Sequence, residues 1–176
     1  MSSWIGLCCA FNANAETAYL IQPGDVVEVS VWHEADLQKE LLVRPDGTIT
    51  LPLVGQVVAG GQTVKDVQVD LADKLQRFIP DPVVTVGVKQ PLGNKVYVIG
   101  KVNRPGEFVL NRDIDIMQAL SMAAGTARFA ELKEIIVLRR KGEEQTVFKF
   151  NYEEVQLGQN LGQNIMLRSG DVVVVP

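Results

Sequence analysis

Cysteine and histidine are the scarcest reactive residues of this chain. Its 176 residues include 2 cysteines, Cys8 and Cys9, and 1 histidine, His33. Beyond the first fifteen residues no cysteine remains, which excludes thiol catalysis and thiolate metal sites there. His33 begins the sequence His-Glu-Ala-Asp-Leu, but a zinc-protease helix needs a second histidine where Leu37 stands. We therefore expect no metal and no cofactor, and an exposed loop position for His33.

Long apolar runs and excess positive charge are also missing. No stretch of about 18 apolar residues is present, so no segment is predicted to be a membrane-spanning helix. The formal net charge is −4, which argues against nucleic-acid binding because such domains usually carry a basic stripe. No glycine-rich phosphate loop occurs, which argues against nucleotide binding. The content of 47% hydrophobic and 22% charged residues is typical of a folded globular chain.

Residues 1–15 resemble an export signal. They contain no charged residue, they include a short apolar stretch, and they end in Ala13-Asn14-Ala15. Small residues at Ala13 and Ala15 suit cleavage by signal peptidase after Ala15. Leu7 precedes Cys8, so no lipobox supports lipidation. The alternative is that residues 1–15 are a native tail.

The first half of the remaining chain alternates strand and helix patterns. Residues 26–32 place valines on one side, which predicts a half-buried strand. The turn sequence Pro45-Asp46-Gly47 separates two short apolar runs and predicts a hairpin. Apolar residues three and four apart predict a helix over 63–78 with Thr63 as its N-cap. Residues 83–88 form a β-branched run that predicts a buried strand.

The second half repeats this arrangement after residues 90–94, where turn-forming residues cluster. Strands are expected at 95–102 and 172–175, a helix at 113–124, and a hairpin over 134–150. Each half therefore combines several short strands with one amphipathic helix. The predicted fold class is α+β, with two small modules, each a short-stranded mixed sheet packed on one helix.

Carboxylate pairs are the remaining candidates for acid–base chemistry. Glu143-Glu144 and Glu153-Glu154 are adjacent pairs. Adjacent residues on a strand point to opposite faces, so such pairs rarely converge on one substrate. Solvated surface positions are therefore the favoured interpretation, and we expect that the protein is not an enzyme.

Aromatic and basic side chains are the candidates for surface contacts. Trp32 is expected to be buried under the following loop, with contact to a sugar ring or a neighbouring subunit as the alternative. Tyr97 is a second residue that could stack on a sugar. Arg139 and Arg140 are expected at a solvated strand end, where they could instead face an acidic polymer or a neighbouring subunit.

Ordered motifs along both halves resemble a known family, the Wza-like outer-membrane polysaccharide export proteins. The resemblance covers residues 19–176 and depends on several motifs together. In the first half these are Gln22-Pro23-Gly24-Asp25-Val26-Val27, Arg44-Pro45-Asp46-Gly47-Thr48-Ile49, Leu51-Pro52-Leu53-Val54-Gly55 and Asp81-Pro82-Val83-Val84. In the second half they are Val96-Tyr97-Val98-Ile99-Gly100-Lys101-Val102, Arg104-Pro105-Gly106 and Ala123-Ala124-Gly125.

The resemblance implies a polysaccharide export domain at 16–89, a linker at 90–94, and a β-grasp-like SLBB domain at 95–176. The motif residues suit turns and fixed strand angles rather than catalysis. The residues expected to have this architectural role are Pro23, Gly24, Asp25, Pro45, Asp46, Gly47, Pro52, Gly55, Gly100, Pro105 and Gly106.

The same resemblance implies a role in the export of capsular or extracellular polysaccharide. Family members assemble as rings that conduct the polymer across the periplasm, together with an inner-membrane co-polymerase that is often linked to a tyrosine kinase. We expect a periplasmic protein associated with the outer membrane of a Gram-negative bacterium. Exposed strand edges at 172–175 or 83–88 could form the ring contacts.

This sequence differs from larger members, which carry a C-terminal amphipathic helix after repeated SLBB-type modules. A separate outer-membrane β-barrel is therefore expected to supply the exit. Two alternatives remain open: a monomeric periplasmic module that binds or senses a glycan, and an enzyme that acts on the exported polymer.

Overall fold

A computed structural model describes residues 18–176, which form two lobes with separate hydrophobic cores. The core of the first lobe contains Ile21, Val27, Ile49 and Leu71, and residues 21–86 supply all of its buried members. The core of the second lobe draws its buried members from residues 96–175. The predicted cleavage site at Ala13 and Ala15 lies outside the described residues.

The first lobe contains five strands and one helix within the described range. They are β1 (Val26–Val31), β2 (Glu34–Leu42), β3 (Thr48–Leu51), β4 (Gly55–Val58), α1 (Val64–Leu75) and β5 (Val84–Gln90). One antiparallel sheet has the order β2-β1-β5, and β3 and β4 form a separate antiparallel ribbon. On β1 the alternating valines Val27, Val29 and Val31 are buried, as predicted.

Helix α1 covers the core of the first lobe and begins with a capping box. The Thr63 hydroxyl accepts a hydrogen bond from the Asp66 N–H, and the Asp66 carboxylate accepts one from the Thr63 N–H. Side chains at Val67, Leu71 and Leu75 are fully buried. The predicted helix and its N-cap are confirmed, although the helix ends three residues earlier than expected.

The second lobe is built around one mixed sheet. Its elements are β6 (Lys95–Gly100), β7 (Gly106–Val109), α2 (Ile116–Met122), β8 (Ile135–Lys141), β9 (Glu144–Phe150), α3 (Tyr152–Gln156) and β10 (Val172–Val175). The strand order is β7-β6-β10-β8-β9. Strand β10 is parallel to β6 and antiparallel to β8. The α+β class is confirmed, and the predicted helix at 113–124 is shorter and capped by Asp115.

Three expectations about strand pairing and sheet type were wrong. The turn at Pro45–Gly47 forms, but β2 pairs with β1 and β3 pairs with β4, so the strands on its two sides do not form the expected hairpin. The first lobe has only antiparallel pairs, so the mixed sheet occurs in the second lobe alone. Residues 172–175 are not an edge, because β10 is hydrogen-bonded on both sides. Strand β5 does lie at the edge of its sheet.

Candidate functional site

The turn that begins the first sheet contains a fully buried carboxylate. Asp25 has 0% exposure. Its Oδ2 accepts hydrogen bonds from the Gln22 N–H at 2.8 Å and the Tyr19 hydroxyl at 2.6 Å. Its Oδ1 accepts a third from the Gly93 N–H at 2.8 Å. These donors compensate for the loss of water around the carboxylate. Burial and the hydrogen bond to Asp25 raise the pKa of Tyr19 above its usual value.

The turn that precedes β10 repeats this arrangement in the second lobe. Asp171 is 1% exposed, and its Oδ2 accepts a hydrogen bond from the Arg168 N–H at 2.8 Å, again three residues earlier. Here the other partner is a cation: the Arg139 guanidinium binds both carboxylate oxygens, at 2.9 and 2.7 Å. The guanidinium also lies 5.0 Å from the centroid of the Phe148 ring. The sequence echo Gly-Asp-Val-Val therefore corresponds to the same local turn, each with a buried acid.

Gly93 connects the two turns. Its N–H donates to Asp25, and its carbonyl accepts a hydrogen bond from the Ser169 hydroxyl at 3.0 Å. A Cβ atom at this position would lie 2.3 Å from the Pro23 carbonyl oxygen and 2.9 Å from Cβ of Gln22. Only glycine fits this close approach. Sequence reasoning predicted a linker here but gave no sign that it makes contacts with both lobes.

The junction also borders a surface cleft. This cleft has a volume of about 900 Å³ and takes its lining from both lobes. The lining combines apolar side chains with amide and charged groups, including Tyr19, Val88, Asn94, Asn111, Arg112 and Asp113. A cleft of this size and mixed polarity can hold a small polar molecule.

The predicted contact residues are not brought together in one place. Trp32 lies in the β1–β2 turn with 69% exposure, so its expected burial was wrong. Its indole packs edge-on against His33, which is exposed as predicted. Tyr97 and Arg140 lie on one face of the second sheet. Tyr97 pairs with Val172, which pairs in turn with Leu138, so the three side chains share a face. Arg140 points to the same face because it stands two residues after Leu138. Arg139 points to the opposite face and is largely buried against Asp171, so its expected solvation was wrong, whereas Arg140 is exposed as predicted.

The motif residues predicted to be architectural lie in turns or at strand ends. Asp46 accepts hydrogen bonds from the Thr48 N–H and hydroxyl, which lower the pKa of its carboxyl group. At Gly100 φ is +93°, and a Cβ there would lie 2.0 Å from the Val175 carbonyl oxygen. The members of this group are Pro23, Gly24, Asp25, Pro45, Asp46, Gly47, Pro52, Gly55, Gly100, Pro105 and Gly106.

The candidate carboxylates have structural partners or face solvent. Glu154 accepts hydrogen bonds from the side-chain amides of Asn160 at 2.8 Å and Gln163 at 3.0 Å, which lower the pKa of its carboxyl group. Glu153 forms an ion pair with Lys133 at 3.3 Å. Within residues 18–176, no group of three or more histidine, cysteine or acidic side chains is placed to hold a metal ion. None of the helices in that range is long and apolar enough to cross a bilayer.

Comparison of the sequence with known proteins identifies its family. Residues 13–89 match the family model for polysaccharide biosynthesis/export proteins, and residues 94–175 match the model for the SLBB domain. The chain is 26% identical over 184 residues to the EPS I polysaccharide export outer membrane protein EpsA of Ralstonia nicotianae, covering 90% of this chain and 47% of that protein.

Two further relatives carry similar names. The capsule polysaccharide export protein BexD of Haemophilus influenzae is 24% identical over 92% of this chain and 44% of its own length. The capsule polysaccharide export outer membrane protein CtrA of Neisseria meningitidis is 25% identical over 94% of this chain and 46% of its own length. The chain thus spans less than half the length of these relatives. It belongs to the polysaccharide biosynthesis/export family, with an export domain followed by an SLBB domain.

Proposed function

We propose that this protein is a component of an apparatus that exports capsular or extracellular polysaccharide. The observation that carries the proposal is the order of the two family domains, which together match residues 13–89 and 94–175. Three relatives that align over 90% or more of this chain are named as export proteins, two of them of the outer membrane. By analogy the protein acts in the periplasm at the outer membrane, after removal of residues 1–15.

The mechanism that we propose is passive guidance of the polymer through a ring of subunits. A conduit acts by its shape and by polar walls, and it requires no nucleophile or metal. The two lobes act as modules 16–89 and 95–176, and the linker 90–94 fixes the angle between them through Gly93, since Asp25 and Ser169 both bind this residue. A fixed angle supports ring closure because a heterologous contact closes only at one rotation per subunit.

The partners that we propose follow from the same role. They are the polysaccharide itself and an inner-membrane co-polymerase with its tyrosine kinase. The exposed indole of Trp32 is a candidate contact for either a sugar ring or a neighbouring subunit, because an exposed tryptophan offers a large apolar surface.

A second candidate function is favoured by the cleft between the lobes. A monomeric glycan-binding module would hold a short oligosaccharide there, against Tyr19, Asn111 and Arg112. Titration of the full chain with fragments of the exported polymer separates the two functions. Tight binding by a monomer favours the module, and assembly without such binding favours the conduit.

Gene deletion with complementation tests the proposed function. Deletion is expected to abolish secreted polysaccharide, and the intact gene is expected to restore it. A quadruple variant with glutamine at Glu143, Glu144, Glu153 and Glu154 should restore export equally well, because these carboxylates have no role in guiding the polymer. Unchanged secretion after deletion would contradict the export role. Loss of a glycan-cleaving activity in the quadruple variant would instead indicate an enzyme.

A further inference from the structure

Two loops of the second lobe lie against each other beside the C-terminal end of β10. Residues 101–104 run next to residues 123–127, and the Ala127 N–H donates a hydrogen bond to the Lys101 carbonyl at 2.8 Å. The side-chain amide of Asn103 donates to two carbonyls of the facing loop, at 2.8 and 3.2 Å. These bonds fix the backbone of both loops, so side chains that project from them are preorganised for a ligand.

An exposed aromatic ring is held next to two cations at the end of these loops. Phe129 is the most exposed of the large apolar side chains in residues 18–176, at 84%. Its φ is +64°, a backbone conformation that bulky residues rarely adopt. The Lys101 ammonium donates a hydrogen bond to the Phe129 carbonyl at 3.0 Å. The Arg128 guanidinium carbon lies 5.6 Å from the centroid of the Phe129 ring.

The charge of these loops is opposite in sign to that of the whole chain. Residues 101–104 and 123–131 contain three cations, Lys101, Arg104 and Arg128, and one acid, Glu131, which gives a net charge of +2 against −4 for the chain. Within the part of the chain that the structure describes, none of the three cations forms an ion pair. The Lys101 ammonium uses one of its three donors on the Phe129 carbonyl, and the others are available to an anion.

We propose that Lys101, Arg128 and Phe129 bind an acidic sugar unit, such as a uronate, of the polysaccharide that the protein exports. The C–H face of a sugar ring packs against the electron-rich face of the Phe129 ring. The sugar carboxylate accepts charge-assisted hydrogen bonds from the guanidinium and the ammonium. The inference rests on the proposed export function, because it takes the exported polymer as the ligand, and it narrows that polymer to an anionic one.

The size and charge of the site favour a sugar chain over a protein or a membrane. One aromatic ring buries ~150–250 Å², which suits a single sugar ring, whereas a stable protein contact buries ~800 Å² per partner around an apolar centre. An anionic membrane would extend beyond the two loops and face a chain whose net charge is −4. A single glycan strand contacts only the basic loops.

Titration calorimetry of the full chain with a hexamer of galacturonic acid tests the proposal. The hexamer should bind with a Kd of about 1 mM or lower, and added sodium chloride should weaken the binding because it screens the charges. Maltohexaose is the neutral control for the sugar acid. Hexaglutamate is the control for negative charge without a sugar ring. Both should bind at least about threefold more weakly than the galacturonate hexamer.

Substitutions at the three residues should weaken the binding of the hexamer. Arg128→Gln and Lys101→Gln should each raise the Kd about threefold, and together about tenfold, because exposed charge pairs contribute modestly. Phe129→Asn should also raise the Kd about threefold, and asparagine tolerates the positive φ at this position. The matched controls are Arg77→Gln and Leu157→Asn, an exposed cation and a 74% exposed apolar residue outside the site, which should leave the Kd unchanged.

The controls also state what would overturn the proposal. Equal affinity for maltohexaose would exclude recognition of the acid, and equal affinity for hexaglutamate would exclude recognition of a sugar. A Kd that the three substitutions leave unchanged would exclude this site. If the chain does not bind the hexamer but sediments with phosphatidylglycerol vesicles, and Phe129→Asn abolishes that sedimentation, the loops bind lipid and the proposal is wrong.

Gene deletion separates failure of this site from failure of the export role. Deletion that abolishes secreted polysaccharide, together with a chain that does not bind the hexamer, would remove the sugar site and leave the export role standing. Unchanged secretion after deletion, together with binding of the hexamer that Arg128→Gln weakens, would keep the sugar site and contradict the export role.

Discussion

Substitution of Gly93 by alanine should destabilise the junction between the two lobes. The added Cβ would lie 2.3 Å from the Pro23 carbonyl oxygen, well below the ordinary contact of 3.4–4 Å. The linker must move by about 1 Å, which breaks the 2.8 Å hydrogen bond from Gly93 to the buried Asp25 carboxylate. Overpacking and the lost charged hydrogen bond together predict a destabilisation of about 3–5 kcal/mol.

Gly87→Ala is the matched control. Gly87 lies in β5, and a Cβ there meets nothing within 4 Å. Neither glycine has a positive φ, so backbone strain does not distinguish the two substitutions. In the control, alanine should stabilise the protein slightly or leave it unchanged, because the unfolded chain loses freedom.

Scanning calorimetry and urea unfolding of the full chain measure both variants. For a chain of this size the expected loss lowers the melting temperature by roughly 10 °C. Asp25→Ala should be strongly destabilising in the native background and clearly less so in the Gly93→Ala background, since both changes remove the hydrogen bond between Gly93 and Asp25. A difference below about 1 kcal/mol between Gly93→Ala and Gly87→Ala would refute the steric argument.

Two further predictions concern other polar contacts. Arg139→Leu leaves the Asp171 carboxylate buried without its cation and should lower the free energy of unfolding in urea by about 3–5 kcal/mol. Arg139→Leu combined with Asp171→Leu should recover part of this loss. A double variant as unstable as the single variant would contradict the prediction. Hydrogen bonds from Thr63 hold the pKa of Asp66 below its usual value, so their stabilisation is fully present above about pH 4 and is lost as the pH falls through the lowered pKa. In urea melts between pH 6 and pH 3, Thr63→Ala should flatten this dependence, and equal slopes for the two proteins would count against the capping box.

Local pattern was a reliable guide to individual elements. The alternating valines of β1, the stripe and N-cap of α1 and the hairpin of β8 and β9 all form as the sequence indicated. These features depend on neighbours within a few residues, and side-chain periodicity alone identifies them. Strand β4 and helix α3 were missed because both are short and their sequences have weak periodicity.

Strand pairing was less predictable. A tight turn joins β2 to β3 in the sequence, yet the two strands do not pair with each other. Strand β2 pairs with β1, and β3 pairs with β4. Residues 172–175 were expected at an edge, but β10 is inserted between β6 and β8, which are distant in sequence. The exposure of Trp32 likewise could not be predicted from the sequence, because it depends on whether a distant loop packs over the β1–β2 turn.

The sequence alone determined the α+β class, the two modules and the family motifs, because those properties depend on residue type and spacing. Only the tertiary structure decided that Asp25 and Asp171 are buried, that Gly93 contacts both lobes, and that Lys101 contacts the exposed Phe129. Burial and contact depend on which distant segments meet in space. The same acidic residue is solvated or enclosed according to the donors that the fold brings to it.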